Sequence, residues 1–229
     1  MPHDDVFKRF ADSLTLSLAS DSAANLFSLG EVVSVLAKDT AKFQLTAARL
    51  IVFVSKGAVK LVAHVGPDRE QIVAFAFAEE VLVLSPTSHT PFELRALIDC
   101  RIVAFSADRL FQALAKDTEA AGALFATTLS ALDRSRERSI LLGRKTAQER
   151  IASFLLDMAE RTGTPKGDIV LLSLPMTRRE IADSLGLTIE TVSRRFTELR
   201  EQRVIDTAGR SDVSILDPYR IRKLAGLAP

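Results

Sequence analysis

Hydrophobic residues follow two different periods along this chain of 229 residues. Between residues 32 and 105, short runs rich in β-branched and aromatic residues alternate with turn signals such as Lys-Asp-Thr and Gly-Pro-Asp-Arg. Such runs predict β-strands, and several strands without long intervening helices predict a sandwich or barrel. A barrel of this kind can hold one small ligand, which makes it a candidate sensor. The predicted strands are residues 31–37, 41–46, 49–65, 70–77, 80–85 and 92–105.

Apolar residues at helical spacing lie on both sides of this β-region. Before it, Phe7, Phe10, Leu14 and Leu18 predict a short helix, and a second helix is expected around residues 21–29. After it the helical period returns from residue 106 and keeps one mostly apolar stripe beyond residue 117. The stripe consists of Ala121, Leu124, Phe125, Thr128, Ala131, Leu132 and Ser135.

Residues 177–203 predict two helices that meet at a glycine. Thr177 with Glu180 three residues later forms a capping box, and Thr188 is a good N-cap for the second helix. Gly186 tolerates the left-handed conformation that a tight turn between helices requires. The segment therefore predicts a helix-turn-helix.

The second of these helices is amphipathic. In a recognition helix, a carboxylate accepts from cytosine N4, and a guanidinium donates two hydrogen bonds to guanine O6 and N7. The polar face offers both groups, so we expect sequence-specific DNA binding. The apolar face is Val192, Phe196 and Leu199, and the polar face is Glu190, Ser193, Arg194 and Thr197.

An alternative explanation is that Glu190 and Arg194 form only a helical ion pair, worth about 0.2 to 0.5 kcal/mol. The spacing of Ala182, Gly186 and Val192, four and then six residues, is typical of the DNA-binding motif and favours the first interpretation. Two short strands around a glycine turn follow the motif and predict a wing that reaches a phosphate. The remaining candidate DNA contacts are Thr177, Arg178, Thr188, Thr191 and, in the wing, Arg210.

The long helix is predicted over residues 108–142, between a barrel domain of residues 1–107 and a DNA-binding domain of residues 143–229. Most helix-turn-helix regulators are two-fold dimers, so the apolar stripe, extended to Leu114, predicts a dimer interface. Alternatively, the stripe packs on its own barrel. Gly143 is expected to interrupt the helix as a hinge, and a helix at residues 146–161 and a strand at 169–174 follow.

Charge is unevenly distributed, because residues 1–133 carry a net charge of −4 and residues 134–229 carry +5. The basic part contains the helix-turn-helix. No apolar run reaches the length of a membrane span and the N-terminus has no apolar signal core, so we expect a cytoplasmic protein.

The reactive side chains of the sequence form no pattern that indicates an enzyme. Cys100 is the only cysteine, which excludes an internal disulfide, and it is expected to be buried, with a redox-sensitive thiol as the alternative. His3, His64 and His89 lie far apart and show no metal-binding spacing. The acidic residues form no pair beside a nucleophile, and no glycine-rich phosphate loop is present.

The order of parts resembles the family of the cyclic-AMP receptor protein and the oxygen regulator FNR. Residues 190–194, Glu-Thr-Val-Ser-Arg, match the E-x-x-S-R motif of the FNR and FixK branch, and the upstream segment LLGRKTAQERIASFLL supports the match. The resemblance implies an α+β fold: an antiparallel β-barrel like the cyclic-nucleotide-binding jelly roll, a dimerisation helix and a winged helix-turn-helix. It further implies a homodimeric transcription regulator that contacts RNA polymerase, an activator or a repressor depending on the operator position. Glu190, Ser193 and Arg194 would read a TTGAT-N4-ATCAA palindrome.

The barrel departs from this family pattern. Cyclic-nucleotide binders carry an Arg-Ser pair shortly before the strand that contains Arg95-Ala96-Leu97, whereas this chain has Thr90-Pro91 there. Cyclic AMP is therefore disfavoured, and without N-terminal cysteines so is an iron–sulphur cluster. The remaining similarity is to FixK-type regulators. A haem-based gas sensor of the same family and an interaction module that binds no DNA remain the alternatives.

Overall fold

The computed structural model of the chain describes residues 4–14, 26, 28–45, 49–66, 69–85, 90–115 and 117–227. The chain divides into two compact units, residues 1–134 and 135–229. The division falls inside the long helix, between the two domain boundaries that the sequence predicted.

The first unit is built around antiparallel strands, as the sequence predicted. They form two sheets, one in the order β1-β7-β2-β5 and one in the order β4-β3-β6. The strands are β1 (Gly30–Val35), β2 (Leu50–Lys56), β3 (Ala58–Gly66), β4 (Arg69–Phe77), β5 (Val81–Leu84), β6 (Phe92–Ala96) and β7 (Cys100–Ser106).

Helix α1 (Asp4–Ser13) covers one face of the four-stranded sheet and confirms the first predicted helix. Its Phe10 ring stacks on Phe105 of β7, with ring centroids 4.7 Å apart, and tilts against Phe53 of β2 at 5.2 Å. These rings belong to an apolar core between the helix and the sheet. The predicted extension of α1 to residue 18 and most of the second predicted helix lie outside the described residues.

The strand predicted at residues 41–46 is wrong for residues 41–45, which form no strand. Only Thr40 makes a bridge, to Arg95 of β6. Beyond it, the backbone amides of Gln44 and Leu45 donate to the carboxylate of Glu31 at 2.8 to 2.9 Å. These amides therefore find a side-chain acceptor, whereas a strand would need the carbonyls of a neighbouring strand.

Two helices follow the last strand of the barrel, α2 (Ala107–Leu114) and α3 (Thr118–Arg144). The interruption predicted at Gly143 lies slightly later, because α3 continues through Gly143 to Arg144 and the next helix begins at Ala147. A single glycine costs a helix only about 1 kcal/mol relative to alanine. The side chain of Arg150 donates to the carbonyl of Leu142 and so holds this last turn.

The second unit is a winged helix with a four-stranded sheet in the order β10-β11-β9-β8. The helix predicted at 146–161, the strand at 169–174, the helix-turn-helix and the wing are all confirmed, while β8 was not predicted. Its elements are α4 (Ala147–Thr162), β8 (Thr164–Lys166), β9 (Ile169–Ser173), α5 (Arg178–Leu185), α6 (Ile189–Glu201), β10 (Ile205–Ala208), β11 (Asp212–Ile215) and α7 (Pro218–Leu224).

The core of the second unit contains the apolar faces that the sequence predicted for α4 and α6. Each of these side chains is at most 6% exposed. Burial of one face of α6 fixes which side chains of that helix point to solvent. The buried residues are Ile151, Phe154, Leu155 and Met158 on α4, and Val192, Phe196 and Leu199 on α6.

Candidate nucleic-acid interface

Helix α5 begins at the predicted capping box and ends at the predicted glycine. The Thr177 hydroxyl accepts from the Glu180 amide at 3.2 Å, and the Glu180 carboxylate accepts from the Thr177 amide at 2.7 Å. Gly186 ends the helix in the left-handed conformation, with φ 61° and ψ 41°. These local signals set the direction in which the chain enters α6.

Helix α6 begins with two threonine hydroxyls beside its first turn. The hydroxyl of Thr188 accepts from the Thr191 amide at 3.2 Å and lies 3.0 Å from the Thr191 hydroxyl. Both side chains therefore lie at the end of α6 where backbone N–H groups favour an anion.

The four polar residues predicted for the recognition face, Glu190, Ser193, Arg194 and Thr197, are all exposed. Among the described residues, Glu190 and Arg194 form no ion pair with each other or with another side chain. The helical ion pair weighed as an alternative is therefore absent from this structure. The carboxylate and the guanidinium are available to an external partner.

Arg178 lies against the aromatic core beneath α6. Its guanidinium carbon is 3.4 Å from the centre of the Phe196 ring, a cation–π contact. Burial lowers the pKa of Arg178 to about 10. The side chain still carries its charge at neutral pH, and the ring holds it in place.

The wing turn presents the other predicted basic residue. Gly209 has φ 64°, a conformation that favours glycine, and lies between β10 and β11. Arg210 follows it and is exposed, and within the described part of the chain its side chain has no partner. The wing thus carries an accessible cation.

Two arginines that the sequence did not single out hold the end of α5. Arg150 donates from Nη1 to the Leu185 carbonyl at 2.9 Å, from Nη2 to the Leu142 carbonyl at 2.9 Å and from Nε to the Lys145 carbonyl at 3.0 Å. Arg138 donates to the Ser184 carbonyl, and burial lowers the pKa of Arg138. Cations are favourable at these carbonyls because a helix C-terminus is partly negative and its last C=O groups lack helical donors.

The predicted dimer residues differ in burial. Leu114 and Leu124, 1% and 0% exposed, belong to the core of the first unit, so their assignment to a dimer interface is corrected: they pack on their own barrel. Phe125 and Leu132 are 63% and 45% exposed. Leu129, which was not among the predicted residues, is 43% exposed. The remaining four are the half-buried Ala121, Thr128 and Ala131 and the exposed Ser135.

In the barrel, Arg95 is already paired with two carboxylates. Its guanidinium donates to both oxygens of Glu70 at 2.6 and 2.7 Å and to Glu93 at 2.7 and 2.9 Å. The hydrogen bond from Arg95 lowers the pKa of Glu70 and in turn raises the pKa of Arg95. Thr90 and Pro91 supply no guanidinium beside this group.

Cys100 is 4% exposed at the start of β7, which confirms the predicted burial. Burial, with a smaller effect from Asp99, raises the pKa of its thiol to about 11. His64 lies 3.1 Å from Glu93 and 3.7 Å from Glu70, while His3 and His89 lie outside the described residues. Among the residues that are described, no three His, Cys, Asp or Glu side chains are placed to hold a metal ion, and no helix is long and apolar enough to cross a membrane.

Comparison with known proteins agrees with this geometry. The Crp-like helix-turn-helix domain matches residues 149–224. The chain is 40% identical over 178 residues to the nitrogen fixation regulation protein FixK of Azorhizobium caulinodans, covering 77% of this chain and 72% of that protein. It is 34% identical to FixK of Rhizobium meliloti, covering 75% of this chain and 76% of that protein.

Solved structures show the same architecture. The structure of FixK2 from Bradyrhizobium japonicum superimposes with a TM-score of 0.74 at 31% identity, covering 88% of this chain and all of that one. A CooA mutant from Carboxydothermus hydrogenoformans gives a TM-score of 0.76 at 19% identity, covering 91% of this chain and 93% of that one. At this identity the similarity shows only that the two chains share a fold.

The barrel, the long helix and the winged helix-turn-helix together define a DNA-binding transcription regulator, not an enzyme. The extent of its identity to the FixK proteins gives the family: the chain belongs to the CRP/FNR family, in the FixK branch.

Proposed function

We propose that this protein is a homodimeric transcription activator that recognises a TTGAT-N4-ATCAA palindrome through Glu190, Ser193 and Arg194. The observation that carries the proposal is the outward face of α6. Its carboxylate, hydroxyl and guanidinium are exposed, while the opposite face of the helix is buried in the core. A helix held in this way can place its N-terminal side chains in a major groove.

Each side chain has a base-edge partner of matching chemistry. Arg194 donates two hydrogen bonds to O6 and N7 of the guanine in TTGAT, and Glu190 accepts from a cytosine N4 amino group. Ser193 meets a base edge or a thymine methyl group. The other predicted contacts position the helix on the sugar–phosphate backbone, and they are Thr177, Arg178, Thr188, Thr191, Thr197 and Arg210.

The exposed part of α3 supports the homodimer. Phe125, Leu129 and Leu132 are apolar and 43 to 63% exposed, and they recur at spacings of four and three residues along one side of the helix. A second copy of the chain would cover this stripe, and two-fold symmetry matches the symmetry of a palindromic operator. We also propose that the DNA-bound homodimer contacts RNA polymerase.

A mobility shift at two salt concentrations tests the DNA-binding part. We expect specific binding to the palindrome, with affinity that falls steeply as salt rises, and weak binding to an operator with both half-sites scrambled. Equal binding to the two DNA molecules would contradict the proposal.

Arg194 is tested by substitution across single-base operator variants. Arg194→Ala should weaken binding by about 1 to 3 kcal/mol and relax the preference at the guanine. Arg194→Lys should recover only part of the lost binding free energy, because an ammonium group lacks the planar, two-pronged donor geometry of a guanidinium. If Arg194→Ala weakens every operator equally and keeps their rank order, Arg194 contacts a phosphate instead.

For the effector, we propose that cyclic AMP does not bind tightly. Arg95 is already paired with two carboxylates, and Thr90 and Pro91 offer no second guanidinium to a buried phosphate. A micromolar dissociation constant for a cyclic nucleotide in calorimetry would overturn this. We also propose that the protein binds no iron–sulphur cluster. An absorption spectrum of the purified protein tests for this cluster and for haem.

A further inference from the structure

A cleft of about 160 Å³ lies beside the C-terminal half of α6. It is open on the same side of the helix as the base-reading residues, because Ser193 and Thr197 belong to both. The residues that line it come from the start of α5, from α6 and from β10, and they are Arg178, Ser193, Phe196, Thr197, Arg200 and Thr207.

The lining is complementary to an anion. It contains two guanidinium groups, three hydroxyls and one aromatic ring, and no carboxylate. The acidic neighbour on β10, Asp206, precedes Thr207 in the strand, so its side chain points to the other face of the sheet. Its carboxylate accepts a hydrogen bond from the Thr207 amide at 2.8 Å.

Neither Arg178 nor Arg200 is paired with a carboxylate of the described residues, although one is half-buried and the other is exposed. Arg178 is half-buried on the Phe196 ring, and burial alone accounts for the lowered pKa of Arg178, with no carboxylate opposing it. Arg200 is exposed, and its side chain makes no hydrogen bond or ion pair to the described residues. A bound anion would supply the missing partner for both.

Resting on the proposed function, we propose that this cleft binds one phosphate of the DNA backbone between Arg178 and Arg200, with the hydroxyls of Thr197 and Thr207 as further donors. Arg178 enters from the start of α5, where Phe196 positions it, and Arg200 enters from the last turn of α6. The contact anchors α6 at the end opposite its base-reading N-terminus. It adds Arg200 and Thr207 to the DNA-binding residues.

Substitution of Arg200 tests the cleft. Arg200→Ala should weaken binding about 10-fold to every operator variant, keep their rank order and reduce the salt slope by about one unit. Thr207→Val should weaken binding less, because it removes a neutral donor. The control is Arg222→Ala, which removes the same charge from the exposed face of α7, where Arg222 lies 3.6 Å from Glu160.

DNA with a neutral methylphosphonate at one position at a time identifies the phosphate. We expect one position per half-site where neutralisation weakens the wild-type protein about 10-fold and weakens Arg200→Ala less, because Arg200→Ala keeps only Arg178 as a cation at that phosphate. Methylphosphonate effects that are the same in both proteins would overturn the proposal, as would equal affinities of Arg200→Ala and Arg222→Ala.

Two further outcomes separate the possible failures. If the wild-type protein does not discriminate operator from scrambled DNA, the proposed function fails. If it does discriminate, but Arg200→Ala binds every operator as tightly as the wild-type protein, the cleft alone is refuted. Calorimetric titration with inorganic phosphate distinguishes the source of the anion. We expect no saturable binding without DNA, and saturable binding that Arg200→Ala abolishes would make the cleft a small-anion site instead.

Discussion

Arg150 offers a stability test whose size follows from its contacts. Its guanidinium donates to three carbonyls, those of Leu142 and Lys145 at the end of α3 and that of Leu185 at the end of α5. Arg150→Met keeps most of the aliphatic stem and removes all three donors. Because the site is half-buried and water can replace part of each bond, we assign about 1 kcal/mol to each bond and expect a loss of about 2 to 4 kcal/mol.

Urea denaturation measures this loss in the unit that contains Arg150. The chain has no tryptophan and a single tyrosine, Tyr219, which lies on α7. Tyrosine fluorescence therefore reports on the second unit, while far-UV circular dichroism follows both units. We expect the fluorescence transition of Arg150→Met to move to lower urea concentration with little change in its slope.

The matched control is Arg144→Met. Arg144 is exposed in the last turn of α3, and within the described residues its side chain has no hydrogen-bond partner. Its substitution should change the free energy of unfolding by less than about 0.5 kcal/mol. If both variants lose the same stability, the three carbonyl contacts of Arg150 contribute nothing beyond a general charge effect.

Three further substitutions or modifications test other parts of the molecule. Val192→Asp puts an unpaired charge at a fully buried position, so its thermal unfolding should begin at lower temperature and DNA binding should fall for all operators alike; a stable variant with altered base preference would contradict this. Because the pKa of Cys100 is raised to about 11, its alkylation in the folded protein should be slow at pH 8, accelerate as pH rises and become fast in urea; fast labelling of the native protein would refute its burial. Phe125→Glu should shift the sedimentation of the protein from dimer to monomer without unfolding it, since the side chain is 63% exposed in one chain, and an unchanged dimer would exclude this stripe as the interface.

The helix-turn-helix was predictable because its signals are local. A capping box at Thr177, a left-handed glycine at Gly186 and an N-cap at Thr188 each act within four residues of their partners. The two faces of α6 follow from helical spacing alone, and burial of Val192 agrees with it. Local chemistry is therefore sufficient to predict which face of α6 is buried and which is exposed.

What covers an apolar stripe is not a local property. Leu124 and Phe125 are adjacent in the sequence and were assigned to the same interface, yet Leu124 is buried in the barrel core and Phe125 is exposed. Helical spacing shows that such side chains need a covering surface, but the surface comes from residues distant in the chain. The continuation of α3 through Gly143 has the same origin, because Arg150 reaches it from the next helix.

Long polar side chains were the least predictable. Arg178 was predicted as a candidate DNA contact, and nothing in the sequence shows that its flat guanidinium lies on the Phe196 ring. Arg138 and Arg150 lie in a basic segment, and composition does not show that they point to the carbonyls at the end of α5. The direction of a side chain with several rotatable bonds depends on which acceptors the fold brings within reach.

The pairing of Arg95 with Glu70 and Glu93 has a consequence for ligand selectivity in the barrel. Both carboxylates are attached to the same chain as the guanidinium, so they compete for it as permanently tethered ligands. Tethering gives them an effective concentration on the order of millimolar or higher. A diffusing anion at micromolar concentration competes poorly with both carboxylates, so Arg95 adds little to the affinity of the barrel for a phosphorylated metabolite.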